Sequence, residues 1–112
     1  MAKIEIQPTV GTVVVRAGGA VIAESTAALT LLEEGYAPVH YLPRNDAGMA
    51  FLEASDKRTT CPHKGEAEYF HVMGKSQPIR DAAWSYATPI AGMEAIAGFV
   101  AFDAERMAVE IL

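Results

Sequence analysis

Apolar and polar positions alternate along most of this chain with the period of strands rather than of helices. The strongest local pattern is TVVVRAGGAVIAES, residues 12–25. Two apolar, β-branched runs flank Gly18-Gly19, a pair that accepts the positive φ of a two-residue hairpin turn. A turn there sets Ala17 opposite Ala20, Arg16 opposite Val21 and Val14 opposite Ala23. Thr12, Val14 and Arg16 then share a face with Val21, Ala23 and Ser25, while Val13, Val15, Ala17, Ala20, Ile22 and Glu24 take the other. Residues 27–34 fit either a helical turn or a strand. Pro38 and Pro43 bracket VHYL, which reads as a short strand near a sheet edge or at an element end.

Further along, Asn45 or Asp46 is placed to cap a short helix running through Ala54, packed by Phe51 and Leu52. EAEYFHVM alternates as a strand with Ala67, Tyr69 and His71 on one face, and AAWSYAT puts Trp84 and Tyr86 on a common face. The turn-like GKSQP between them makes these strands antiparallel neighbours. A single helical turn at 93–97 follows, then FVAF, a turn at 103–106, and MAVEI. The pattern predicts one compact, mainly β, antiparallel domain over residues 1–112, with about eight short strands and one or two short helices.

Composition narrows the partners. At 51% hydrophobic and 21% charged, a chain of 112 residues is one globular domain able to bury its own core. The net charge is −5, and the nine basic residues are scattered from Lys3 to Arg106, without the concentrated positive surface that nucleic acid requires. The same acidity repels anionic membranes, so neither partner is expected. Cys61 stands alone, which excludes an internal disulfide and a Cys-pair zinc site. His40, His63 and His71 lack the short helical spacing of a metal motif, and no metal is expected. Glu5 and Pro8 interrupt the opening segment where a signal peptide is apolar, and no apolar run approaches a membrane span; a cytoplasmic location is expected.

Taken together, VVVRAGGAVIAES, LEEG, YLPRND, TTCPHKGEAEY, AWSYATP and AFDAERMAVEI resemble the domain-of-unknown-function 427 family from about Val13 to Ile111. The most distinctive part is Thr-Cys-Pro-x-Lys-Gly followed by an aromatic strand and Trp-Ser-Tyr-x-x-Pro. The resemblance implies a compact β fold of the β-tent kind, found in bacterial and fungal proteins, and a nominal nucleotidyltransferase-like label without assigned catalytic residues. Glu24 stands where members often carry Asp before the Ser, a change that keeps the charge.

The segment Cys61-Pro62-His63-Lys64-Gly65 carries the most chemistry. Lys64, three residues after Cys61 across a turn, is placed to favour a thiolate nucleophile; the plainer reading, which we prefer, is a small buried cysteine at a strand end. Arg16 and Lys64 offer charge-assisted donors to an anionic ligand, and Arg16 has Glu33 or Asp46 as alternative ion-pair partners. Tyr69, Trp84 and Tyr86, with His71 nearby, form either a pocket wall or core. The candidate ligand-binding residues are therefore Arg16, Glu33, Cys61, Lys64, Tyr69, Trp84 and Tyr86, and Arg16, Lys64 and at least two of Tyr69, Trp84 and Tyr86 are expected to border one cavity. There is no phosphate loop and no Asp-x-Asp pair. Two functions compete: a domain binding a small anionic metabolite or nucleotide, with or without catalysis, and a non-catalytic interaction module, for which a homodimer is allowed.

Overall fold

The computed structural model describes residues 3–74 and 77–112. Among these residues there are ten strands: β1 (Ile4–Pro8), β2 (Val13–Ala17), β3 (Ala20–Ser25), β4 (Leu29–Glu33), β5 (Val39–Leu42), β6 (Leu52–Cys61), β7 (Gly65–Met73), β8 (Pro78–Ser85), β9 (Val100–Phe102) and β10 (Ala108–Ile111). They form a seven-stranded sheet in the order β1-β4-β5-β9-β8-β7-β6 and a three-stranded sheet in the order β10-β2-β3. Every pairing is antiparallel. The mainly β, antiparallel expectation is met, with ten strands rather than eight.

Alternation assigns each large strand two jobs. Leu42 of β5, Phe70 and Val72 of β7, Ala83 of β8, and Val100 and Phe102 of β9 turn towards the three-stranded sheet. There they pack on Val13, Val15, Ala17 and Ala23 in one apolar core. Their sequence neighbours Tyr41, Ala67, Tyr69, Trp84 and Ala101 point the other way, with Leu31, Tyr86 and Ile96. This second face is where the site lies.

Several local expectations need correction. Gly18 and Gly19 take φ of 57° and 85°, as a primed hairpin turn demands, and Ala17 and Arg16 face Ala20 and Val21 as expected. A bulge follows, so Val15 faces Ala23 and Val14 faces Glu24. The face assignment inverts beyond it: Val13 and Val15 join Ala23 in the core. VHYL is an interior strand between β4 and β9, because its two prolines sit just outside it and no ladder hydrogen bond is lost. In place of a capped helix there are two 3-10 turns, Arg44–Asp46 and Met49–Phe51, and β6 begins at Leu52. Asp46 caps nothing; it accepts a hydrogen bond from Ser25 Oγ at 2.7 Å. Phe51, expected to pack that helix, is exposed. A third 3-10 turn, Glu94–Ile96, answers the expected helical turn at 93–97. β7 and β8 are antiparallel neighbours as expected; Lys75 and Ser76 of the GKSQP turn lie outside the described residues. No helix among the described residues is long and apolar enough to cross a membrane.

Candidate functional site

A cleft of about 680 Å³ opens on the second face of the large sheet. Of the group expected around one cavity, Lys64, Tyr69, Trp84 and Tyr86 line it, as do the candidates Glu33 and Cys61, and Arg16 does not. Arg16 lies in the other sheet, where its Nε donates to Glu110 Oε1 of β10 at 2.8 Å. Neither Glu33 nor Asp46 is its partner. The β10 strand reaches Arg16 first, and a partner that remote in sequence leaves no local trace.

One end of the cleft is built by the β6–β7 hairpin. Cys61 ends β6 and Gly65 opens β7 with φ of 115°, a conformation that suits glycine. A Cβ on Gly65 would also sit 3.3 Å from Ile90 N and Pro89 Cα, so the hairpin packs tightly on the segment after β8. The turn lifts Lys64 over Glu33 at the end of β4. Lys64 Nζ donates to Glu33 Oε1 at 2.9 Å, with both side chains only 12% exposed. It also points at Cys61 Sγ, 3.6 Å away. Cys61 is half-buried and borders the cleft, not the sealed packing position preferred from sequence. Burial opposes the Lys64 ammonium, but the Glu33 hydrogen bond and the charges around it outweigh burial and hold its pKa above the ordinary lysine value.

Two phenols complete this end. Burial pushes Tyr41 and Tyr86 up to about 12 each. Tyr41 Oη accepts from Trp84 Nε1 at 3.3 Å, which leaves its own hydroxyl hydrogen to give. Tyr86 is 6% exposed and its hydroxyl has no hydrogen bond to the described residues, yet among them no fully buried side-chain nitrogen or oxygen is left unpaired. Its hydroxyl therefore reaches the cleft.

The other end is aromatic and charged. Tyr69 and Trp84 face each other across β7 and β8, ring centroids 6.4 Å apart and tilted by 39°. Tyr69 Oη is hydrogen-bonded to Thr59 Oγ1 at 2.9 Å. Bulges in both neighbours of β7 bring further groups here. Ser55, Asp56 and Lys57 stand opposite Tyr69 alone, and Arg80, Asp81 and Ala82 stand opposite His71 alone. The first bulge hangs Lys57 Nζ 4.7 Å over the Tyr69 ring. The second holds Asp81 with φ of 52°, the one described non-glycine residue with positive φ. Arg106 closes the rim, donating to Asp103 Oδ2 at 2.7 Å and to the carbonyls of Arg80 and Asp81 at 2.8 and 3.1 Å.

Tyr41, Lys57, Asp81 and Arg106 were not foreseen. Tyr41 had a signal, since alternation in VHYL sets it beside Val39 on one face. Lys57 and Asp81 had none, because bulges re-aim side chains without a fixed sequence signature. Among the described residues no three His, Cys, Asp or Glu side chains are grouped to hold a metal ion. Residues 5–112 match the family described as domain of unknown function (DUF427). No curated protein matches the chain.

Proposed function

The chain belongs to the DUF427 family, and from that premise we propose that it binds a small molecule in the aromatic cleft. The acceptor group of that ligand lies at Lys64 and its ring lies against Trp84 and Tyr69. The observation that carries this reading is the convergence of three donors, Lys64, Tyr41 and Tyr86, at one end of a cavity walled by Tyr69 and Trp84. All three have pKa values moved away from neutrality, so each presents a fixed hydrogen. Such groups suit recognition; a general acid or base works best with a pKa near the operating pH. Concave, largely apolar sites with a few convergent polar groups are the usual form of small-ligand sites.

Charge selects the acceptor. Lys64 is already offset by Glu33, and around the whole cleft Lys57, Lys64 and Arg106 balance Glu33, Asp81 and Asp103. A polyphosphate brings several negative charges to a site with no surplus cation. A single carboxylate can accept from Lys64 and Tyr86 without displacing Glu33. We therefore favour a ring-bearing carboxylate over a nucleotide.

Trp84 is the sole tryptophan and lines the cleft, so its emission reports occupancy. Titration with 3-phenylpropionate should shift that emission saturably, and the methyl ester and ATP should not. Lys64→Met should abolish the response. An emission that ignores 3-phenylpropionate, or a response undiminished in Lys64→Met, would overturn the proposal.

A further inference from the structure

We infer that Asp81 binds a protonated amine of the same ligand, so that the cleft takes an elongated aromatic zwitterion. This rests on the cleft being a binding site and goes on to say what the second end of the ligand must be.

The backbone around Asp81 is held at a cost. A β-carbon at positive φ is strained, and such strain persists only where the surroundings fix it. Here Arg106 holds the carbonyls of Arg80 and Asp81. His71 Nδ1 accepts the Asp81 N–H at 3.0 Å. Ser55 Oγ, from the bulge on the far side of β7, donates to Asp81 Oδ1. These contacts use the main chain and one carboxylate oxygen. The other oxygen, Oδ2, has no partner among the described residues, and the side chain, 33% exposed, lines the cleft.

Nor does the carboxylate have a counter-ion among the described residues. His71 Nδ1 lies 3.7 Å from Oδ1, but it accepts the Asp81 N–H at 3.0 Å and donates nothing to the carboxylate. No lysine or arginine nitrogen among the described residues lies within ion-pair distance of it. Asp103, the other rim carboxylate, differs on each count: it is bound by Arg106 Nε and by the Glu105 N–H. Asp81 thus keeps one acceptor oxygen without a partner among the described residues, and a ligand ammonium would supply the donor and the counter-charge together.

Register fixes the ligand's shape. Lys64 immediately precedes Gly65 at the start of β7, and Asp81 lies opposite His71. That stretch of strand is roughly 20 Å long, and both residues line the one cleft beside it. The Tyr69–Trp84 wall stands between them. An extended tripeptide, about 10 Å from end to end, with a central aromatic residue, has the required order of amine, ring and carboxylate.

The test uses Ala-Phe-Ala with free ends, its N-acetyl form and its C-terminal amide, each titrated against the intact protein with Trp84 emission as readout. The free peptide should bind at least about tenfold more tightly than either blocked form, since each lacks one charge-assisted contact. Asp81→Asn retains a residue that tolerates positive φ and an acceptor for Ser55. It should lower affinity for the free peptide to that of the acetyl form and leave the acetyl form unchanged. Equal binding of free and acetylated peptide, or an Asp81→Asn protein that keeps the preference, would overturn the inference. If 3-phenylpropionate binds and none of the peptides does, the inference falls and the binding reading stands; if neither binds, both fall. Should Asp81→Asn fail to fold, the free-against-acetylated comparison in the unmodified protein decides alone.

Discussion

The two faces of the seven-stranded sheet are made from alternate residues of the same strands, yet one is closed and the other open. Towards the three-stranded sheet, Leu42, Val72 and Val100 are fully buried against Val13 and Val15, and all are aliphatic. Towards the cleft, Tyr41, Tyr69, Trp84 and Tyr86 do the packing, and each carries a polar atom that makes a hydrogen bond there or reaches the cleft. The difference lies in what covers each face. A second sheet excludes water from the first, so any polar atom there would need an internal partner. The second is covered only in part, by Ile96 and Tyr86 packed on Leu31, Tyr41 and Ala101, so amphipathic aromatics bordering the cleft can pack with their bodies and hydrogen-bond with their tips. One run of alternating residues thus supplies both a stable core and a chemically equipped surface.

Substitutions on the two faces should differ in what they cost. The largest effect is expected on the closed face. Leu42→Ala removes a side chain with no exposure and should lower unfolding free energy by about 3 kcal/mol in chemical denaturation, the middle of the range for such cavities. A loss below about 1 kcal/mol would show that this face is less tightly packed than described. Next comes the ion pair at the end of the cleft. Lys64→Met leaves the Glu33 carboxylate nearly buried without its donor and should cost about 2 kcal/mol. Adding Glu33→Gln should recover part of that loss, so a double-mutant cycle separates the pair from the packing of the lysine stem.

Smaller still is the change at Tyr86. Because its hydroxyl opens into the cleft, Tyr86→Phe should alter stability by no more than about 0.5 kcal/mol, while weakening 3-phenylpropionate binding measurably. A large stability loss would mean the hydroxyl is engaged inside the protein. The smallest effect is a pH dependence. Burial lowers the His40 pKa below 6.5, so the folded protein favours the neutral ring and the unfolded chain takes up the proton first. Stability should therefore fall as pH drops from about 7 through the ordinary histidine range, and His40→Gln should flatten that part of the thermal-melting profile.

How much of this was legible in the sequence varied with distance along the chain. The Gly18-Gly19 hairpin, VHYL, EAEYFHVM and MAVEI all appear as strands because a period of two is a local signal. The shared face of Trp84 and Tyr86 was visible for the same reason, as was the approach of Lys64 to Cys61 across a short turn. Arg16 was misplaced because its partner, Glu110, lies 94 residues away. The expected register from Val14 to Ala23 failed at a bulge, and bulges also hide Lys57 and Asp81. An inserted residue leaves composition intact while reversing every side chain beyond it. The candidate site was thus readable where strands are regular and unreadable where they are not.

The position of β10 also bears on how the chain reaches this state. β2 acquires β3 through a two-residue turn, but its other edge waits for β10, almost the full length of the chain away. Thr12 and Leu112 then exchange both backbone hydrogen bonds, at 3.0 and 2.8 Å. Closing so long a loop is entropically slow, and contacts of this range are what retard β proteins relative to helical ones. During synthesis the hairpin of β2 and β3 can form early, yet its outer edge stays unpaired until residues 108–111 have left the ribosome. For that interval VVVRA is an apolar strand with free N–H and C=O groups, the kind of segment that pairs with other chains. Refolding yield should accordingly fall as protein concentration rises, and a peptide spanning residues 108–112, added in trans during refolding, should compete for that edge.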